Sequence, residues 1–322
     1  MLPLVSCDIY QEKCGECSGS RVSVSLGGSV SAATTRAEGV RSEDESAVNS
    51  VQVYAFSSSD GKFVDRAAGM AGSIEFYLLN STYDFLAFVN CPELPSAPET
   101  RSDLESIVSE LAENSAGSFQ MCGSLERQTI QADSRLTVDV RRIVAKVTYV
   151  CRVEMKSASL AALPFRVRGI YMTNVCGENN YALNAAPDIS GIWYNRRNLE
   201  DSGSVAELIS SGEMDVIVPQ GDSIQTGHSF YLYPNPWPDP DDRGGWSLRR
   251  TRFVLKADIG GVTTYYPVTV PEVERNKHYE IDLTITGWGV DDPEDIPGIS
   301  SLAEVEIRVA EWEDGGRIEA RY

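Results

Sequence analysis

Alternation of apolar and polar positions runs through most of this chain. Tyr279, Ile281, Leu283 and Ile285 are separated by Glu280, Asp282 and Thr284, the period-two pattern of a strand with one dry and one wet face. Val305, Ile307 and Val309 repeat it against Glu304, Glu306 and Arg308. The same rule predicts strands over residues 22–26, 51–56, 74–79 and 83–89, then over 165–175, 214–218, 229–233, 252–259 and 262–270. Ser57 to Gly61 ends in Asp60-Gly61 and separates two such runs, which predicts a hairpin. Trp193 and Tyr194 fall in a loop, and one helical turn is expected over 205–210. A single short helix interrupts the strands of the first half. Ser102 and Glu105 have capping-box spacing, and Leu104, Ile107, Val108 and Leu111 recur at helical intervals.

One run changes phase. Leu136, Val138 and Val140 alternate in one frame, and after Arg141-Arg142 the frame moves to Ile143, Ala145, Val147 and Tyr149. Such a change predicts a bulge, or a strand that passes from one sheet to another. At 322 residues the chain exceeds the roughly 250 at which a single core stops growing. We therefore expect an all-β protein of two β-sandwich domains with one short accessory helix: a tether over 1–20, a first domain over 21–150 and a second over 151–322.

Charge narrows the partners. The chain has 28 Lys+Arg against 47 Asp+Glu and a net charge of -19, which argues against nucleic acid and against an anionic membrane surface. No run approaches the ~20 apolar residues that span a bilayer. Only two histidines occur, His228 and His278, which disfavours histidine metal sites and histidine-dependent triads. Acidic clusters at Asp239, Asp241 and Asp242 and at Asp291, Asp292, Glu294 and Asp295 lack the spacing of a calcium loop, and proline interrupts both. Gly27-Gly28, Gly244-Gly245 and Gly260-Gly261 lack the strand, loop and helix frame of phosphate binding. No nucleophile has a recognisable base beside it. No catalytic residue, metal or cofactor is expected. Trp193, Tyr194, Trp237 and Trp246 leave a carbohydrate-binding surface protein as the reading from another class.

The amino terminus adds an attachment. Leu4-Val5-Ser6-Cys7 resembles the lipobox of bacterial lipoproteins, in which the cysteine is acylated. That resemblance implies lipid on Cys7, and the short apolar lead from Met1 to Val5 implies that the sequence starts inside its own signal peptide. Acyl chains bury about 0.8 kcal/mol per CH₂, so a multiply acylated Cys7 would anchor the chain in the outer membrane. Seven cysteines leave one unpaired if six form bridges. Cys14 and Cys17 form a C-x-x-C pair in a Ser/Gly-rich tether. A local disulfide or an inert tether suits that setting better than a redox site or a zinc knuckle.

In residue order, 265–312 resembles the C-terminal end of the fimbrillins, the type V pilus subunits of Bacteroidetes-type bacteria. The features are Tyr266-Pro-Val268, an Asn276-x-x-Tyr279 lead-in, Leu283-Thr-Ile285, a Gly/Asp/Pro loop and a closing strand that ends at Trp312. Residues 141–147, RRIVAKV, are similar to the family's motif near the domain junction. The resemblance implies Greek-key, transthyretin-like sandwiches and a lipoprotein precursor that reaches the cell surface. There an Arg-specific protease cuts the loop after the first strand, that strand leaves, and another subunit's terminal strand fills the groove.

Each part has a counterpart here. Val22, Val24 and Leu26 match the displaced strand, Arg36 or Arg41 the cut site, and Ile318, Ala320 and Tyr322 the donor strand. The implied partners are other fimbrial subunits, the protease, membrane lipid through Cys7, and a host glycan or protein receptor. The cysteine-rich start is also similar to anchor subunits, which keep their lipid and first strand, so anchor or tip roles stay open.

Overall fold

The computed structural model describes residues 19–30, 45–70, 73–182, 191–196, 203–225, 227–236, 250–295 and 303–312. The first half supplies β1 (Ser20–Gly28), β2 (Val51–Ser57), β3 (Phe63–Gly69), β4 (Ile74–Leu78), β5 (Ser81–Val89), β6 (Val108–Glu110), β7 (Met121–Ile130) and β8 (Ser134–Arg142). The second supplies β9 (Ala145–Val153), β10 (Phe165–Thr173), β11 (Val175–Cys176), β12 (Glu178–Asn180), β13 (Trp193–Tyr194), β14 (Ser210–Ile217) and β15 (Ser223–Ile224). It continues with β16 (Phe230–Leu232), β17 (Arg252–Ile259), β18 (Val262–Thr269), β19 (Lys277–Ile285) and β20 (Ala303–Glu311). The all-β expectation holds.

In the first sandwich the strand order is β3-β2-β5-β7-β8-β1-β4. β7 and β8 pair only at Met121 with Arg142 and at Cys122 with Arg141, so the chain of strands folds there into two layers. Between the layers lie Val22, Val24, Val53, Phe76, Phe85, Val138 and Val140, all at most 1% exposed. In the second sandwich one sheet is β14-β10-β17-β18 and the other β15-β9-β19-β20, with β16 also on β9. Tyr149, Phe165, Ile170, Phe253, Leu255, Ile281 and Leu283 fill its interior.

The phase change after Arg142 is a change of sheet. β8 lies parallel to β1 and β9 lies parallel to β19, while Ile143 and Val144 between them are both fully buried. Burial on successive residues is what a shifted alternation requires where a strand turns from one core to the next. The second core runs on across this junction to Tyr54, Phe56, Phe88, Leu104 and Leu111 of the first half.

Three sequence expectations are corrected. The helix near Ser102 is α1 (Arg101–Glu105), with Thr100 as its cap and Asp103 accepting from the Thr100 N–H at 2.8 Å. The chain then leaves the helix, because 108–110 pairs with β12 from the other half of the sequence. Leu104 and Leu111 are buried and Val108 is exposed, so a long-range ladder overrides the helical spacing. Two further one-turn helices are α2 (Ala158–Ala161) and α3 (Ala206–Ile209). Trp193 and Tyr194 are not in a loop but form β13 against β11, with Trp193 buried. The expected dry face of 305–309 is incomplete: Val305 is 46% exposed, and Ile307 and Val309 are half-buried. The reason is position, since β20 is the edge of its sheet and lies on β19 alone among the described strands.

The described cysteines Cys91, Cys122, Cys151 and Cys176 are buried and carry no disulfide. Burial pushes the Cys122 thiol up to about 11, which leaves it packed and unreactive. Cys7, Cys14 and Cys17 lie outside the described residues.

Candidate functional site

The displaced-strand candidates Val22, Val24 and Leu26 share β1, and β1 is held on both sides. It runs antiparallel to β4 from Ser20 to Val24 and parallel to β8 from Val22 to Gly28. Val22 and Val24 are buried, while Leu26 is half-buried against the same core. The alternate residues point to water, where Ser25 Oγ donates to the Leu136 carbonyl at 3.1 Å and Arg21 pairs with Glu75. Gly28 has φ +82°, and a Cβ there would fall 2.4 Å from the Val140 carbonyl oxygen. At Gly27 it would fall 2.4 Å from Asp139 Oδ1. The glycine pair therefore exists so that the end of β1 can lie tight on β8.

β1 leaves its seat at the junction of the sandwiches. The Ser29 N–H donates to the Val140 carbonyl at 2.9 Å, and Ser29 Oγ donates to Asn276 Oδ1 at 2.9 Å. Asn276 is left-handed, at φ 55°. Its N–H donates to the Val144 carbonyl and its carbonyl accepts from the Trp312 N–H at 2.9 Å. One residue thus fixes the end of β1, the β8–β9 crossing and the end of β20. Arg36 and Arg41 lie outside the described residues, as do Ile318, Ala320 and Tyr322.

The chain is described again from Glu45, at the same junction. The Glu45 carboxylate accepts from Lys146 Nζ at 2.7 and 2.9 Å, from Tyr231 OH at 2.5 Å and from Trp312 Nε1 at 3.2 Å. Burial alone would raise its pKa, but the Lys146 ammonium, the Tyr231 hydroxyl and the Trp312 indole hold it below the usual carboxylate range. Arg142, fully buried, donates from Nε to the Glu45 carbonyl at 3.0 Å and from Nη1 to the Trp312 carbonyl at 3.3 Å. Its guanidinium stacks 4.3 Å from the centre of the Trp312 ring. Phe119 and Tyr231 close the other sides of that indole.

Residues 45–50 have a second anchor in Asn90, left-handed at φ 56°. Its Oδ1 accepts from the Asn49 N–H at 2.7 Å and the Ser50 N–H at 3.3 Å, and its Nδ2 donates to the Ala47 carbonyl at 2.7 Å. Sequence reading singled out RRIVAKV, Asn276 and Trp312 as parts of a pattern. It did not place them around one carboxylate, and it missed Glu45 and Asn90 altogether. Glu45 lies in the acidic run Ser42-Glu-Asp-Glu-Ser46, which reads as a solvated surface, so no local signal marks it.

Beside the junction a cleft of about 1000 Å³ is lined by Arg141, Arg275 and Lys277 among acids Asp139, Glu272, Glu274 and Glu311. Arg275 donates to Asn179 Oδ1 at 3.1 Å and to the Tyr181 carbonyl at 3.4 Å within the second half, and its Nη1 lies 3.9 Å from Cys122 Sγ of the first. Of the aromatic residues of the carbohydrate reading, Trp193 is buried and Tyr194 half-buried in β13, while Trp237 and Trp246 lie outside the described residues.

The two sandwiches, with their crossing strand, have the fold of bacterial fimbrillin and cell-adhesion structures. A fimbrilin from Porphyromonas gingivalis is similar at a TM-score of 0.64 and 14% identity, over 93% of this chain and 99% of that one. A candidate cell adhesion protein from Parabacteroides distasonis is similar at a TM-score of 0.66 and 14% identity, over 94% and 99%. A tip fimbrial protein from Porphyromonas gingivalis with a C-terminal truncation follows at 0.53 and 14%, over 91% and 100%. No sequence-family profile matches the chain, and no curated protein does.

Proposed function

We propose that this protein is a structural subunit of a surface fimbria, made as a lipoprotein and assembled by donor-strand exchange after an Arg-specific cut within 31–44. The observation that carries the reading is the seat of β1. That strand lies between two others, yet only Val22 and Val24 of its side chains are fully buried apolar groups. Its withdrawal would leave two open backbone edges and an apolar trough, which an alternating strand from another copy can fill. Ile318, Ala320 and Tyr322 alternate with charged residues and are the proposed filling. Cys7 is the proposed lipid site, and Arg36 or Arg41 the proposed cut.

The division into two units near residue 150 belongs to the same reading, supported by the change of strand partners between Arg142 and Ala145. Other fimbrial subunits are the proposed partners, with the outer membrane and then the cell surface as the location.

Digestion of the folded protein with an Arg-specific protease, followed by intact-mass measurement, tests this. The expected product begins at Ala37 or Ser42 and polymerises, and truncation after Gly316 blocks growth. A chain cut elsewhere while 31–44 survives, or growth without the terminal residues, would overturn the reading. Fibres whose subunits retain β1 and an acylated Cys7 would make the protein an anchor.

A further inference from the structure

The arm that follows 31–44, the start of β9 and the end of β20 meet at one carboxylate. Glu45 is the first described residue after 31–44. Lys146 sits at the start of β9, and Trp312 closes β20. In the intact chain the 45–50 arm is tied to β1 by covalent connection, and β1 is itself fixed through Ser29 to Val140 and Asn276. Cutting within 31–44 removes that tie. The arm then becomes a chain end, and chain ends fray unless held. Several anchors remain on it: Asn90 holds 47–50, Asn49 Nδ2 donates to the Gly117 carbonyl, and at the outer end Arg142 holds the Glu45 carbonyl while Lys146, Tyr231 and Trp312 hold its carboxylate.

We propose that Glu45 is a positioning residue for assembly: it pins the amino-terminal arm left by the cut to the end of β20, so both stay at the junction while the β1 seat opens. This rests on the proposed processing. Its physical basis is the set of four contacts on one carboxylate, two of them from the Lys146 ammonium and thus charge-assisted at both ends. Without the carboxylate, the hydrogen bonds that Trp312 Nε1 and Tyr231 OH donate to Glu45 and the Lys146 ion pair are lost. Arg142 keeps its stack on the indole and its bond to the Glu45 carbonyl, and that single bond is then what joins the arm to the Trp312 cluster. Opening of the seat would spread in one direction into β2, whose first residue is Val51, and in the other into β20.

The test does not depend on the native cut. Residues 33–39 of the full chain are replaced by the recognition site of a sequence-specific viral protease, and hydrogen exchange is followed in peptides covering 45–52 and 306–312. After cutting, the parent protein is expected to keep both peptides slow. The cut Glu45→Gln protein is expected to exchange about tenfold faster in both, as loss of hydrogen bonds to a charged group implies. Uncut Glu45→Gln should differ from its parent by less than about threefold, because the covalent tie still holds the arm. Tyr231→Phe, which removes one hydrogen bond and keeps the ring, should give an intermediate rate after cutting, and it carries the test if Glu45→Gln does not fold. Equal effects of Glu45→Gln before and after the cut would reduce Glu45 to a general stabilising contact and overturn the proposal. So would a cut parent that frays over 45–52. Failure of the native arginines to be cut would instead count against the processing reading alone.

Discussion

β1 and β19 occupy equivalent places and are committed very differently. Each lies parallel to a part of the continuous 134–153 run, and each has an antiparallel neighbour on its other side, β4 or β20. β19 buries Tyr279, Ile281, Leu283 and Ile285 completely, at 1% exposure or less, whereas β1 buries only Val22 and Val24 to that degree, with Leu26 half-buried and Arg21, serines and glycines in its other positions. At ~1.5–3 kcal/mol per fully buried side chain, the two buried valines of β1 contribute about 3–6 kcal/mol and the four buried side chains of β19 roughly twice as much. The same backbone frame thus holds one strand that can be released at modest cost and one that cannot.

The largest test of that contrast is truncation in each strand. Leu283→Ala should lower stability by about 2–5 kcal/mol, and Val24→Ala by about half as much because it removes fewer methyl groups. Urea denaturation of both variants measures this. Equal losses would erase the distinction. Gly28→Ala should come next, at roughly 1–3 kcal/mol, since it combines a left-handed φ with a blocked approach to the Val140 carbonyl. Exchange should then quicken in β1, β4 and β8 while β19 stays protected, and quickening in β19 would show that the seats are not independent.

Smaller effects come from titration. The Glu45 carboxylate is held below its unfolded value, so its contribution is full above the unfolded carboxylate range near pH 4.3 and is lost as pH falls through the folded pKa. The stability gap between the parent and Glu45→Gln should therefore narrow as pH drops from 6 towards 3, and a constant gap would contradict the charged clasp. The smallest effect belongs to β19. Burial, with Lys146 nearby, lowers the pKa of His278, whose Nε2 lies 2.8 Å from Thr148 Oγ1 across the β9 ladder. The unfolded chain then takes up a proton first as pH falls below about 6.5, so stability declines there. His278→Asn should flatten that part of the pH profile.

Strands were legible wherever one face is wet and the other dry. Residues 279–285 and 252–259 read directly, and the frame shift after Arg142 marked the crossing between cores. Pattern failed where partners are distant in sequence. Nothing in Val108-Ser-Glu110 announces that it will pair with Glu178–Asn180, and local spacing there imitates a helix. β20 alternates in sequence as β19 does, but edge position denies it a second covered side. Of the site, Val22, Val24 and Leu26 were legible as a strand, and Gly27-Gly28 was noticed only for the phosphate frame it lacks. Glu45, Asn90 and the stacking of Arg142 on Trp312 were not legible, because each is defined by contacts across more than 25 residues of chain.

The 134–153 run passes from one sandwich into the other with Ile143 and Val144 buried at the crossing, so the two halves share a beam with no slack in it. Tension applied along that beam would act in shear on the parallel ladders to β1 and β19, and the slanted, evenly spaced bonds of such ladders would resist together rather than open one after another. Stretching the molecule should then require far greater force than peeling an edge strand such as β20 away from its neighbour.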